Sequence, residues 1–456
     1  MFILHMIRNN MKYLWSALLI IGVSGSYFSS HEDDDCFCQL QGQIDDCTCN
    51  VDTVDHFNNV KIYPRLRSLL QKDYFRFFKV NLFKKCPFWQ DYNQCGIKYC
   101  HVEPCKENEV PKGLKEKDGK KIHGENKYMK SIDCDNEFNE LGVINTTLSD
   151  QAVEDFLLWS AYDDAQDNFC LLEDFDDDSN YVDLLLNPER YTGYKGDAAH
   201  HIWQTIYREN CFRPNGQINS YIQSNGLNSM CLEERVFYRA ISGLHASINI
   251  HVCVKYLLRE SSFKNSNGEW GPNLDEFRKK FSPETTNGEG PNWLRNLYFL
   301  YLLELKALKK ASPYLEKEEF YTGNDSEDWD TQLAIRDLLN IVKNFPHHFD
   351  ETTMFIGHNQ AIKLKQEFKQ HFRNISSIMD CVGCEKCKLW GKLQIQGLGT
   401  ALKILFSRKF DGLTLEDDSS EKSFQLLRSE IVALLNSIGR LSTSIYELDE
   451  FRFILR

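Results

Sequence analysis

The sequence lacks several features that mark common protein classes. After an N-terminal apolar run, Leu14 to Val23, no stretch is long and apolar enough to span a membrane. There is no excess of basic residues, because the formal net charge is -13. This charge argues against nucleic acid or an anionic membrane surface as the main partner. No internal repeat and few strand-like segments are present, so the sequence favours a mostly α fold.

Motifs for phosphate binding and for serine hydrolases are missing as well. The sequence has neither G-x-x-x-x-G-K-[ST] nor G-x-S-x-G. Gly397-Leu398-Gly399 partly matches the dinucleotide fingerprint, but it follows a helical pattern and lacks the third glycine. These absences exclude a Rossmann-type or P-loop nucleotide site.

The N-terminus has basic residues, the apolar run and then small residues around Gly25, which predicts a secretory signal peptide over residues 1–25. An uncleaved signal anchor is the alternative. The 16 cysteines and three glycosylation sequons indicate an oxidising compartment. The sequons are at Asn145, Asn324 and Asn374. The C-terminus has no K-D-E-L-type retrieval signal. The targeting signals alone therefore do not distinguish residence in the endoplasmic reticulum lumen from secretion to the exterior.

Three cysteines at C-x-x-C-x-x-C spacing, Cys381, Cys384 and Cys387, stand at the head of a predicted helix that runs to Phe406. Cys384 and Cys387 share one helix face, close enough for reversible pairing. The positive end of the helix and the neighbouring lysines Lys386 and Lys388 would favour the reactive thiolate. The pattern therefore indicates a redox dithiol, with a metal knuckle as the alternative.

Other cysteines fall into two N-terminal groups. Two C-x-C pairs, Cys36/Cys38 and Cys47/Cys49, can form two nested disulfides or a four-cysteine zinc site, and an oxidising compartment favours disulfides. A second group follows, Cys86, Cys95, Cys100, Cys105 and Cys134. Between Lys106 and Lys130 the chain has almost nothing to bury, which predicts a mobile loop. Its cysteines either reach more than one partner or form ordinary bridges.

Hydrophobic periodicity predicts helices through most of the remaining chain. One strongly amphipathic helix, Val236 to Leu258, has an apolar face and, beside it, a polar stripe that contains Ser242 and His245. This stripe could bind a polar ligand, although a satisfied core histidine is the alternative. Further helices are predicted within 62–83, from Ser149 onward, and at 293–310, 331–345, 360–372 and 430–451. Residues 261–292 are predicted to form a surface loop.

Five segments together carry a family resemblance, and they are Cys381 to Lys392, Gly397 to Phe406, Glu189 to Tyr194, Ser242 to Ser247 and Asn296 to Phe299. On these segments the chain resembles the endoplasmic reticulum oxidoreductin family of thiol oxidases, from about Cys36 to the end. The resemblance implies a single domain over 26–456, a helical bundle enclosing FAD, with a disulfide-rich N-terminal segment and a mobile loop at about 90–134. It implies a monomer in the endoplasmic reticulum lumen, free or peripheral on the membrane, and no metal.

The same resemblance implies the function and the roles of the cysteines. Protein disulfide isomerase would be re-oxidised, and its electrons would reach molecular oxygen through FAD, with hydrogen peroxide as product. The inner active pair would be Cys384–Cys387 and the outer shuttle pair Cys95–Cys100. The implied regulatory bridges are Cys95–Cys134 and Cys100–Cys105. The implied structural bridges are Cys36–Cys49, Cys38–Cys47, Cys86–Cys381 and Cys211–Cys231. Cys170 and Cys253 are left over as free cysteines.

For the cofactor the resemblance implies six residues, Arg190, Thr192, Trp203, Ser242, His245 and Arg295. Trp203 would stack on a planar ring, and Arg190 and His245 would meet phosphate oxygens. The chain departs from the family at Trp293, where relatives have an arginine; Arg295 follows two residues later, about 200° around an ideal helix.

Two other classes of protein compete with the oxidase interpretation. A zinc-binding or disulfide-stapled interaction protein would explain the cysteines and sequons, but not the reactive dithiol together with the ligand residues. A disulfide isomerase that uses C-x-x-C directly would need a thioredoxin-like βαβ pattern, which the sequence lacks.

Overall fold

The computed structural model describes most of the chain in segments. They are residues 51–89, 100–115, 168–170, 172–173, 178–189, 197–212, 230–255, 257–258, 270–344, 351–356, 359–407 and 424–455. The predicted signal peptide, the four cysteines Cys36 to Cys49, the helix predicted after Ser149 and most of the predicted mobile loop lie outside these residues.

Four long helices pack around one another and form the core. We label the helices of the structure α1 to α11 in chain order; the core helices are α5 (Leu232–Lys255), α7 (Gly290–Leu315), α10 (Glu385–Phe406) and α11 (Arg428–Leu455). Their facing sides are buried and mainly apolar, so burial of apolar surface is the main stabilising contribution. Buried polar groups lie among the apolar ones, such as the ion pair between Lys403 and Glu430. The predicted mostly α fold is confirmed. Helices α7 and α11 extend beyond the predicted bounds, 293–310 and 430–451, because packing covers their ends.

Two glycines allow the core helices to approach closely. A Cβ at Gly243 of α5 would collide with the carbonyl oxygen of Asn296 in α7, and one at Gly397 of α10 would collide with that of Ala433 in α11. Gly397 therefore serves helix packing inside a continuous helix, in agreement with the exclusion of a nucleotide fingerprint.

Four further helices surround the core, α4 (Asp197–Asn210), α6 (Leu274–Phe281), α8 (Asp325–Lys343) and α9 (Asn359–Ile378). Asn273 caps α6 and Asn324 caps α8, because each side chain accepts a hydrogen bond from a backbone N–H in the first turn. The prediction of a loop over 261–292 is wrong for α6. Its short amphipathic pattern was obscured by the glycine-rich and polar residues around it.

The first described segment begins with α1 (Val51–Phe57), a π-helical stretch (Asn58–Ile62), α2 (Tyr63–Leu69) and α3 (Asp73–Arg76). The helix predicted within 62–83 is wrong beyond Arg76. Residues Phe77–Val80 form strand β1, which pairs antiparallel with β2 (Asn180–Asp183). Aromatic and β-branched residues fit this half-buried pairing, and the long-range partner is invisible to local periodicity.

A second two-stranded ribbon pairs β3 (Leu257–Leu258) with β4 (Trp270–Gly271), antiparallel, directly after α5. The helix predicted to continue to Leu258 therefore ends at Lys255. None of the helices in the part of the chain that the structure describes is long and apolar enough to cross a membrane.

Candidate active site

Cys384 and Cys387 are joined by a disulfide at the start of α10, with their Cα atoms 5.2 Å apart. Cys384 is the N-cap residue, and its sulfur accepts a hydrogen bond from the N–H of Cys387 at 3.3 Å. The positive end of the helix dipole stabilises negative charge on either sulfur once the bond is reduced. The pair is thus placed where thiolate is favoured.

Both sulfurs of this inner pair are buried, since Cys384 is 1% and Cys387 3% exposed. A second disulfide lies directly before the helix, between Cys381 and Cys86, with Cα atoms 4.4 Å apart. All three cysteines of the C-x-x-C-x-x-C pattern are therefore in disulfides, which leaves no thiolate for the metal knuckle considered as the alternative. Over the described residues, no group of three or more His, Cys, Asp or Glu side chains is arranged to hold a metal ion.

Lysines of α10 tie the helix to the segment after β1. The Lys388 ammonium donates to the carbonyl oxygen of Leu82 at 3.1 Å, and the Lys392 ammonium donates to that of Asn81 at 2.9 Å. Lys392 also pairs with Asp380 at 2.5 Å. Burial raises the pKa of Asp380, and the Lys392 charge opposes this effect. These contacts fix the start of α10 in place and so fix the inner pair.

An apolar cavity, partly open to solvent, lies beside the inner pair. Its lining comes from α4, α5, α9, α10 and the segment between α9 and α10. It consists of Ile202, Trp203, Ile206, Ile241, Leu244, Ile248, Ile375, Met379, Val382, Cys387, Gly391, Gln394 and Ile395. Cys387 is the inner cysteine that faces this space. A planar, largely apolar group lodged here would meet that sulfur.

A second, more polar cavity of about 780 Å³, open to solvent, lies on the adjoining side of α5. Its lining consists of Tyr207, Tyr238, Ser242, His245, Ala246, Asn249, Lys279, Lys280, Phe281, Thr285, Thr286 and Trp293. Two ammonium groups and several hydroxyls suit the phosphate oxygens of a ligand. The apolar face and the polar stripe predicted on α5 thus line different cavities. The apolar face lines the apolar cavity, and the polar stripe lines the polar one.

His245 lies against Trp203, where the two cavities adjoin. The two rings are stacked, with centroids 3.7 Å apart. The Tyr207 hydroxyl is 3.1 Å from Nδ1 of His245. Burial, aided by the charge of Lys280, lowers the pKa of His245 to about 3. The imidazole is therefore neutral at physiological pH. It can form a hydrogen bond with a ligand but contributes no positive charge to the site.

Comparison with known proteins identifies the family of this chain. The family model described as Endoplasmic Reticulum Oxidoreductin 1 (ERO1) matches residues 61–448. The chain belongs to the ERO1 family. It is 51% identical to the Ero1-like protein of Drosophila melanogaster, with 98% of this chain and 99% of that protein covered. It is 49% identical to the ERO1-like protein alpha of Mus musculus, with 92% of each covered.

Solved structures agree with this family. The structure of Ero1p, described as a source of disulfide bonds for oxidative protein folding in the cell, matches with a TM-score of 0.58 and 28% identity. The match covers 89% of this chain and 98% of that one. Membership of the ERO1 family makes this chain a secretory-pathway oxidoreductase that acts on thiols in oxidative protein folding.

Of the six cofactor residues that the ERO1 resemblance implies, three meet at the two cavities: Trp203, Ser242 and His245. The Ser242 hydroxyl accepts a hydrogen bond from the side chain of Asn296 at 3.0 Å. Arg190 and Thr192 lie outside the described residues.

The assignment of Arg295 as a cofactor ligand is not supported by the structure. The side chain is exposed, donates to Asn292 at 3.3 Å and lines neither cavity. It is on the far side of α7 from Trp293, as expected for two residues along a helix. Among the described residues, Lys279 and Lys280 at the end of α6 are the cations that line the polar cavity. The sequence did not indicate these two lysines, because the polar residues around them predict a surface loop.

The shuttle cysteines are only partly described. Cys100 is buried and disulfide-bonded, and its bonding partner lies outside the described residues, as Cys95 and Cys134 do. Cys105 is a free thiol, so the regulatory bridge Cys100–Cys105 is not formed in this conformation. Burial raises the pKa of Cys105, with Asp183 adding to the effect. Its thiol is therefore a weak nucleophile here.

The predicted bridge Cys211–Cys231 is not present either. Cys211 is buried directly after α4 and Cys231 is exposed directly before α5, and no disulfide joins them in the structure. Cys170 and Cys253 are buried free thiols. Burial raises the pKa of the Cys253 thiol to about 12 and that of Cys170 well above its ordinary value. Such thiols are chemically inert.

Proposed function

We propose that this chain re-oxidises protein disulfide isomerase and passes the electrons through FAD to molecular oxygen, with hydrogen peroxide as product. The observation that carries the proposal is the position of Cys387, which is bonded to Cys384 and faces an apolar cavity that Trp203 also lines. Family membership supplies thiol oxidation, and this geometry supports a flavin as the group that takes the electrons.

The residues around the two cavities fit FAD. The apolar cavity suits the flavin ring, and the polar cavity offers Lys279, Lys280 and the hydroxyls of Thr285 and Thr286 to a diphosphate. Trp203, at their junction, offers an aromatic face to a ring. When bound, FAD would accept two electrons from the inner dithiol and yield them to oxygen.

Burial of the inner pair supports a relay with two dithiols. Because Cys384 and Cys387 are almost fully buried, a folded client protein cannot present its own thiols to them. A client dithiol would instead reduce the outer pair Cys95–Cys100, and the outer dithiol would reduce Cys384–Cys387 by disulfide exchange. The same burial argues against a disulfide isomerase that uses C-x-x-C directly on its substrates.

The proposed setting is the endoplasmic reticulum lumen. A signal peptide over 1–25 would direct the chain there, as a monomer free in the lumen or peripheral on the lumenal face of the membrane. Glycans are proposed at three asparagines. Asn324 is exposed, Asn374 is half-buried on α9, and Asn145 lies outside the described residues.

A visible absorption spectrum of the purified chain tests the proposal. We expect oxidised-flavin bands that bleach anaerobically as reduced protein disulfide isomerase is added. The bands should return, with hydrogen peroxide, when air is admitted. A folded but colourless protein, or bands that a dithiol client leaves unchanged, would remove the proposal. Zinc in the purified protein would favour the interaction protein instead.

A further inference from the structure

The segment from Cys100 to Cys105 is held against its surroundings by its backbone. The Cys105 N–H donates to the carbonyl oxygen of Tyr181 in β2 at 2.8 Å. Glu103 and Asn187 form two hydrogen bonds of 3.3 Å each, from the Glu103 N–H to Oδ1 of Asn187 and from Nδ2 of Asn187 to the Glu103 carbonyl oxygen. These bonds fix the path of the chain that follows Cys100.

The same segment is also bound to the helix that starts at the inner pair. Oε2 of Glu385 accepts the N–H of Val102 at 2.8 Å and lies 2.8 Å from Nδ1 of His101. Glu385 is the first residue of α10, directly after Cys384. One carboxylate oxygen thus joins the two residues after Cys100 to the residue after Cys384.

A second connection runs to the same helix. The indole N–H of Trp390, three residues after Cys387, donates to the carbonyl oxygen of Asn187 at 2.9 Å. Since Asn187 also holds Glu103, the segment is attached to the first two turns of α10 at two points.

An acidic residue in the first turn of a helix is favourable by itself, because it meets the positive end of the dipole. That explanation does not account for the direction of the Glu385 side chain. Its carboxylate is directed to Val102 and His101, which are more than 280 positions away in the sequence. This contact places the segment after Cys100 against the first residue of α10, which directly follows Cys384.

We propose that Glu385 is a positioning residue that docks the segment after Cys100 onto the start of α10, so that the outer dithiol can reduce the inner disulfide. The inference rests on the proposed relay between the two pairs. In that step one outer thiolate attacks the Cys384–Cys387 disulfide, forms a mixed disulfide with one inner cysteine and releases the other as a thiolate. The second outer thiolate then attacks the mixed disulfide and releases the bound inner cysteine. Two electrons and two protons pass inward, the outer pair becomes a disulfide, and Glu385 is not chemically changed.

The reverse exchange isolates this step without flavin chemistry. In a Cys387→Ala background Cys384 has no partner, so its thiolate can attack the oxidised outer pair, forming one bond to an outer cysteine and releasing the other as a thiol. The rate of appearance of the peptide that links Cys384 to an outer cysteine, by mass spectrometry without reduction, measures docking directly.

We expect Glu385→Ala to slow this link about tenfold, since it removes both contacts, and Glu385→Gln to slow it less, since its amide oxygen still accepts the Val102 N–H. His101→Ala should add little to Glu385→Ala, because the two residues act through one contact. Glu109→Ala is the matched control. Its carboxylate also accepts a backbone N–H near the segment, that of Lys106 at 2.8 Å, but makes no contact with α10.

In the flavin-loaded enzyme with an otherwise native sequence, Glu385→Ala should lower kcat for a reduced protein dithiol and leave KM and flavin content unchanged, because client access to the outer pair is untouched. A link that forms equally fast in Glu385→Ala and in its parent overturns the docking role. A parent in which no link forms overturns the relay itself, and the docking role with it. A loss of flavin or of melting temperature together with kcat would show that Glu385 serves the fold, which also overturns the proposal.

Discussion

Trp203 and His245 stack nearly parallel, at an interplanar angle of 14°. Trp203 comes from α4 and faces the apolar cavity, while His245 comes from α5 and faces the polar one. Their contact therefore lies between the two cavities, and an elongated ligand that occupied both would pass beside this pair. A cofactor with a planar ring at one end and phosphates further along matches that sequence of surfaces.

Loss of the Trp203 ring is expected to weaken flavin binding. Trp203→Ala should raise the Kd for FAD about tenfold, which corresponds to ~1.4 kcal/mol, and Trp203→Phe should raise it less because an aromatic face remains. Equilibrium dialysis with flavin fluorescence measures both constants. Trp329→Ala is the control, since Trp329 is 63% exposed and lines neither cavity. Equal affinity in Trp203→Ala and Trp329→Ala would contradict the placement of the ring.

Lys280 is expected to recognise the phosphates of FAD. Lys280→Ala should weaken FAD binding about tenfold through loss of a charge-assisted hydrogen bond. The affinity for riboflavin, which has no phosphate, should stay the same. Arg295→Ala provides the matched control, a cation on the adjacent helix that lines neither cavity. A parallel loss of riboflavin affinity in Lys280→Ala would show that Lys280 supports the shape of the cavity and not the phosphates.

Cys387 is expected to be indispensable for turnover but not for cofactor retention. Cys387→Ala should abolish oxygen consumption with a reduced dithiol client, because the inner pair can no longer cycle, while the flavin absorbance stays. Oxygen consumption and the visible spectrum of one preparation test both. Cys253→Ala should retain activity, since Cys253 is a buried free thiol and burial raises its pKa to about 12, far above neutral pH. If Cys387→Ala lost folding and flavin together, the assigned role would be wrong.

The sequence allowed the helical core to be predicted, because a repeating apolar pattern determines a helix locally. It also allowed the two faces of α5 to be distinguished, with Ser242 and His245 on the polar one. Strand β1 could not be predicted, since its partner Asn180–Asp183 is about a hundred residues away. The contact of Glu385 with Val102 was missed for the same reason, because it forms only when distant segments meet. Lys280 was missed because the polar residues around it predict a surface loop.

Removal of Cys134 is expected to accelerate oxidation. If Cys134 traps Cys95 in a regulatory bridge, Cys134→Ala frees Cys95 for the shuttle pair and should shorten the lag before oxygen consumption severalfold. Oxygen-electrode traces under weakly reducing conditions measure the lag. Cys170→Ala serves as control, since Cys170 is buried and free. An unchanged lag in Cys134→Ala would remove the regulatory role proposed for Cys134.

Glu304 gives the core an expected dependence on pH. Its side chain is fully buried in α7, where Oε1 accepts the Ser437 hydroxyl at 2.8 Å. Burial raises its pKa from 4.5 to about 8, although the Ser437 hydrogen bond opposes the shift. Between these two values the folded chain holds a proton that the unfolded chain has released. The free energy of unfolding therefore falls as pH rises, by up to about 1.4 kcal/mol per pH unit.

A glutamine at this position cannot ionise, so Glu304→Gln removes that contribution while keeping an oxygen acceptor for Ser437. Its extra amide donors are buried and should lower stability equally at every pH. The decisive quantity is thus the difference between the free energies of unfolding of the variant and its parent, measured with denaturant at pH 5 and pH 8. From pH 5 to pH 8 this difference should change by several kcal/mol in favour of the variant. Glu107→Gln, at a side chain 96% exposed, should show no such gain. Parallel pH profiles for Glu304→Gln and its parent would mean that Glu304 ionises in the folded core at its ordinary pKa.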